Sequence, residues 1–110
     1  MNVTTNEYFD GNRQFSIGFS GVFDYVHLDQ MVDIFRINIL PNSVEKRLLY
    51  AGWHSSHIEY HIQKDNIGFI VALDEYDIIS LTLKSENTPK SIELVRKWVY
   101  EVRKSLAKLK

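Results

Sequence analysis

The stretch from residue 57 to residue 84 constrains the fold more than any other part of the chain. Ile58, Tyr60 and Ile62 alternate with His57, Glu59, His61 and Gln63. After Lys64-Asp65-Asn66, the residues Ile67, Phe69, Val71 and Leu73 keep the same period of two. After Asp74-Glu75-Tyr76-Asp77, Ile79, Leu81 and Leu83 complete it. Successive strand side chains point to opposite faces, so these runs and their turn clusters predict a three-stranded antiparallel meander over 57–84 with one apolar face. That face must be covered.

The C-terminal region supplies a cover. Thr88 or Asn87 can cap a helix, and Pro89 suits its first position, where a missing N–H costs nothing. Ile92, Val95, Val99, Val102, Leu106 and Leu109 then recur at steps of three and four residues, widened by Leu94 and Trp98. The spacing predicts an amphipathic helix over 89–109 that gains its stability by docking, because so many β-branched residues make a poor isolated helix. Nearer the start, Phe15, Ile17, Phe19, Gly21 and Phe23 fall on alternate positions and predict an N-terminal strand over 15–23. The expected class is α+β: an antiparallel sheet with helices packed on one face.

Residues 24–52 carry mixed signals. Leu28, Met31, Val32 and Phe35 have helical spacing, whereas Phe35, Ile37 and Ile39 have strand spacing. The expectation is a helix over 27–36 running into an extended tail that Pro41 ends. Ser43 is then placed to cap a second short helix through Val44, Leu48 and Leu49, with Gly52 ending it. Residues 1–12 are polar, close on the turn signal Asp10-Gly11-Asn12, and are expected to be loosely ordered. With 110 residues and no repeat or linker, 1–110 reads as a single domain.

Apolar residues make up 45% of the chain and charged residues 25%, the balance of a globular protein rather than a disordered one. The absence of cysteine excludes disulfides, thiolate metal sites and a cysteine nucleophile. There is no phosphate-binding glycine loop and no Gly-x-Ser-x-Gly elbow, so neither catalysis nor a cofactor is expected. On a strand, His57, Glu59 and His61 share a face in the manner of a two-histidine, one-carboxylate metal set. Alternation alone would put polar residues there, so no metal is expected; a small histidine- or metal-dependent enzyme is the alternative. No apolar run approaches the roughly 18 residues of a membrane span. The opening MNVTTNEYFD has neither a basic region nor an apolar run, so a cytoplasmic location without membrane contact is expected.

Charge is divided along the chain. Residues 84–110 hold eight basic and three acidic residues, a net of +5, while residues 1–83 hold five and eleven, a net of −6. The basic helix offers a nucleic-acid reading, but it lacks a recognised motif and carries a single tyrosine, Tyr100, among its charges, which argues against such a partner. The acidic body suits a basic protein partner, because a negative patch speeds and orients encounter. The expected contacts are Asp74, Glu75, Tyr76 and Asp77 at a hairpin tip, then Asp24, Asp29 and Asp33 around the first helix. Fourteen aromatic residues are a generous supply, and Tyr8, Tyr25, Tyr76 and Tyr100 fall off the apolar stripes, where exposure is expected. A homodimer through a sheet edge or the Val/Leu stripe is also left open.

The whole chain, small, cysteine-free, mildly acidic and rich in aromatics, resembles the immunity proteins of bacterial contact-dependent growth inhibition and related polymorphic toxin systems. The segment YHIQKDNIGFIVALDEYDIISLTL from Tyr60 to Leu83, a meander followed by an amphipathic closing helix, carries that likeness. The resemblance implies a cytoplasmic protein that binds one cognate toxin domain, often a nuclease, and blocks its active site or substrate surface. It also implies neither cofactor nor catalysis, and it transfers no individual residue.

Overall fold

In the computed structural model, which describes residues 2–21, 24–51, 55–73 and 78–109, the backbone forms β1 (Thr4–Phe9), β2 (Phe15–Ser20), α1 (Tyr25–Ile39), β3 (Ser43–Ala51), β4 (Ser55–Lys64), β5 (Ile67–Leu73), β6 (Ile79–Leu83) and α2 (Pro89–Ala107). The described strands make one six-stranded sheet in the order β1-β2-β6-β5-β4-β3, antiparallel at every junction. The meander continues from β3 to β6, and the β1–β2 hairpin adds to its far side. α1 therefore carries the chain from β2 across the sheet to the opposite edge. Among the described residues, no helix is long and apolar enough to cross a membrane.

Both helices lie on one face. Phe69 of β5 meets Phe35 of α1 at a ring-centroid distance of 5.5 Å and Trp98 of α2 at 6.0 Å. The core between the layers takes Phe15, Ile17 and Phe19 from β2, Ile79, Leu81 and Leu83 from β6, and Tyr60 and Ile62 from β4. Leu28, Met31, Val32, Phe35 and Ile39 close it from α1; Val95, Val99, Val102 and Leu106 close it from α2. Each large side chain removed from water there contributes about 1.5–3 kcal/mol. The other face of the sheet carries no helix among the described residues.

Several expectations are corrected. Within the N-terminal segment expected to be loosely ordered, Thr4–Phe9 form a strand that pairs along its length with β2. The hairpin turn is the one signalled, with Asp10 Oδ1 accepting the N–H groups of Asn12 and Gln14 at 2.8 and 2.9 Å. The strand expected over 15–23 ends at Ser20; Gly21 turns the chain at φ 98°, and a Cβ there would stand 2.5 Å from the Asn2 carbonyl oxygen. Val22 and Phe23 lie outside the described residues.

The helix expected over 27–36 runs from Tyr25 to Ile39, so its extended tail is helical as well. Ile39 follows Phe35 by four residues into the core, whereas Ile37 is 73% exposed. Leu40 ends the helix in the left-handed region, ahead of Pro41, which has no N–H to continue it. The short helix expected after Ser43 is a strand instead. All nine residues of β3 pair with β4, and that ladder overrides a local pattern compatible with either state. α2 ends at Ala107 rather than 109, and its cap is Thr88, whose Oγ1 accepts the Ser91 N–H at 3.0 Å. Asn87 does other work: its Oδ1 accepts the Phe15 N–H and its Nδ2 donates to the Arg13 carbonyl, tying the helix approach to β2.

Candidate protein-binding surface

α1 is the acidic element among the described residues. Asp24 is its N-cap, accepting the His27 N–H at 3.0 Å, and the His27 ring stands 3.0 Å from the same carboxylate. Asp29 and Asp33 follow one helical turn apart on one flank, and all three acids are exposed. The Tyr60 hydroxyl of β4 donates to Asp29 Oδ1, and Arg36 Nη1 donates to Asp33 Oδ1 at 2.9 Å. Burial pushes the Tyr60 phenol up to about 12, reinforced by its bond to Asp29 and by the negative charge of Asp29 and Asp33. The ammonium of Lys46 on β3 rests 5.6 Å from the centroid of the same ring. The structure thus brings Asp29 and Asp33 together above Tyr60 and leaves Asp24 at the helix start. Asp74, Glu75, Tyr76 and Asp77 lie outside the described residues.

The face opposite α1 and α2 carries His57, Glu59 and His61 in a row along β4, as their spacing predicts. His57 Nε2 stands 3.2 Å from Glu59 Oε1, and His61 Nε2 stands 2.7 Å from Glu59 Oε2. All three are half-buried. Among the described residues, no group of three or more His, Cys, Asp or Glu side chains is disposed to hold a metal ion. The Glu59 carboxylate lies between the two rings and meets the Nε2 of each.

The basic helix is partly consumed by the fold. Arg96 donates from Nε and Nη2 to the Glu7 carboxylate of β1 at 2.8–3.1 Å, and its guanidinium lies 5.5 Å from the centroid of Phe15. Arg103 donates to the Val3 carbonyl at 3.1 Å and to the Thr5 hydroxyl at 3.3 Å. Lys90, Lys97 and Lys108 are exposed. Of the tyrosines expected at the surface, Tyr8 and Tyr100 are exposed; Tyr76 and the side chain of Tyr25 lie outside what is described.

Sequence reasoning missed the outermost strand β3, which holds Glu45 and Arg47 on the open face and Leu48 on the other, 52% exposed. Arg47 donates to Glu45 from Nε at 3.0 Å and from Nη2 at 3.3 Å, and this contact and its charge hold the Glu45 carboxyl below its usual range. Val44 and Leu48 share the helix-side face with Lys46 between them, so the segment carried no clean apolar alternation to mark the strand. No family model, no curated protein and no solved structure matches this chain.

Proposed function

We propose that this chain is an interaction protein, an immunity protein that neutralises a cognate toxin domain, and that the acidic flank of α1 forms part of its contact surface. The observation that carries the reading is the arrangement of α1: three exposed carboxylates, each already oriented by a neighbour. Residues 24–39 hold a single arginine, Arg36, against those three acids, so the flank is net negative. Side chains oriented before binding lose less freedom when a partner arrives. A toxin that cuts nucleic acid must grip phosphate and so presents positive charge; fixed carboxylates can occupy the places where phosphates would lie. The resemblance in size, composition and charge to immunity proteins supports the same reading.

The test begins with the DNA flanking the gene. A neighbouring frame that ends in the C-terminal domain of a large secreted protein is expected, and that domain should co-purify with this chain. The variant Asp24→Asn, Asp29→Asn, Asp33→Asn keeps a capping side chain and an acceptor for Tyr60 while removing the charge. Its association with the toxin domain at low salt should slow by about tenfold or more, with a flatter salt dependence. An unchanged rate would exclude α1 from the contact surface, and a neighbourhood without any such domain would remove the immunity reading.

A further inference from the structure

β3 is the last strand of the sheet, paired with β4 through all nine residues and with no described strand on its outer side. Such an edge presents a row of unpaired N–H and C=O groups, a template for another strand. Charged residues usually protect edges of this kind, and Glu45-Lys46-Arg47 would do so if their charges faced a partner of like pattern. They do not. In an antiparallel pair, residues directly opposite share a face. When Lys46 lies opposite the second copy's Lys46, Glu45 meets the second copy's Arg47 and Arg47 meets its Glu45.

The Glu45–Arg47 pair within each strand then becomes a square of four charges with alternating sign, each beside two opposite ones. On the helix-side face the same register sets half-exposed Leu48 against the second copy's half-buried Val44, and the reverse. The one like-charge contact, lysine on lysine, is already relieved. Lys46 turns inward from the edge, its Nζ lying over the Tyr60 ring of its own β4.

We propose that β3 is a self-association edge, on which two copies of this chain pair β3 to β3 in antiparallel register about a two-fold axis at Lys46, forming one continuous sheet. The charge alternation and the apolar match select this register, and a single strand per copy sets the strength. Such a junction is narrow beside the roughly 1,200–2,000 Å² of a stable interface, so the dimer dissociates on dilution.

Sedimentation velocity of the purified full chain, from about 10 µM to about 1 mM, is the test, with folding of every variant checked by circular dichroism. The wild type should shift from monomer toward dimer across this range. Glu45→Arg alone and Arg47→Glu alone each place like charges opposite one another and should weaken dimerisation at least about tenfold. Mixing those two variants restores opposite charges across the junction and should restore a dimer, now mixed. The double variant Glu45→Arg, Arg47→Glu should dimerise as the wild type does, which separates edge pairing from a folding defect in either single variant. A wild type that stays monomeric throughout would overturn the proposal, as would a dimer indifferent to Glu45→Arg, a mixture that stays monomeric, or a double variant that does. None of these measurements involves a toxin, so the outcome is independent of the immunity reading.

Discussion

At the β1 edge, charge reaches across the fold: Glu7 takes two guanidinium nitrogens from Arg96, 89 positions away in sequence, and Arg103 reaches Val3 and Thr5. At the β3 edge, Glu45 and Arg47 meet each other two residues apart on one strand. The chemistry is the same guanidinium–carboxylate contact, yet the first fastens an edge strand to a helix and the second joins two residues of one strand, with weaker charge contacts to Glu59 and His61 on the neighbouring β4. On the β3 side the tie lies one strand further in, where Tyr60 of β4 reaches Asp29 of α1. An ion pair thus contributes to a fold according to what it connects, and a locally paired edge keeps its surface for a partner.

The largest effect that separates the two ends is apolar. Phe15 is 2% exposed, has Phe9 edge-on at 5.9 Å, and lies under Arg96, so Phe15→Ala should cost about 3–5 kcal/mol in denaturant unfolding. Leu48→Ala on β3 removes a side chain that is already 52% exposed and should change monomer stability by about 0.5 kcal/mol or less. If the two variants cost the same, the sheet's ends do not differ in the way their packing indicates.

The legible part of the fold is the part whose pattern is local. The meander and α2 repeat apolar residues at the periods of a strand and a helix, and both form with boundaries close to those expected. β1 was hidden because Thr4-Thr5-Asn6-Glu7-Tyr8-Phe9 has little apolar content; its strand state comes from the β2 ladder and from arginines about a hundred positions away. β3 was misread because Val44 and Leu48 fit a helix turn as well as alternate strand positions, and Lys46 falls between them in the same row. At the candidate surface the acids of α1 stood out as acids. What orients Asp29 did not, because Tyr60 is 31 positions distant and serves equally as a core aromatic. The row of His57, Glu59 and His61 was readable from spacing alone, whereas its closure around Glu59 depends on side-chain rotation.

The tie on the β3 side gives the next largest effect, and it has a pH signature. The Tyr60 phenol is raised from 10.0 to about 12, chiefly by burial and then by Asp29. The folded protein therefore holds the proton more tightly than the unfolded chain. The resulting stability is fully present below about pH 10 and is lost as the pH rises through about 12. Tyr60→Phe should cost about 1.5–3 kcal/mol at neutral pH, the range for a hydrogen bond to a charged group. The difference in stability between wild type and variant should then shrink between pH 10 and 12 in denaturant titrations. A constant difference across that range would mean that ring packing, not the hydroxyl, carries the tie.

A smaller effect than that of Tyr60→Phe tests the β1 tie itself. Arg96 and Glu7 are both partly open to water, at 47% and 42% exposure, where solvent screens an ion pair. The ring of Phe15 lies beneath the guanidinium. Arg96→Ala should therefore lower global stability only slightly. The stronger signal is local, because Glu7 sits on an edge strand that can open without unfolding the core. Amide exchange in β1 should accelerate by about tenfold while β5 keeps the protection of the wild type. High salt should reproduce part of this in the wild type by screening the pair, and it should affect β3 less, since β3 is held to β4 by a nine-residue ladder and its Glu45–Arg47 pair lies within the strand. If Arg96→Ala loosens β3 and β4 as much as β1, the arginine is a global support, and the contrast between a fastened edge and an open one fails.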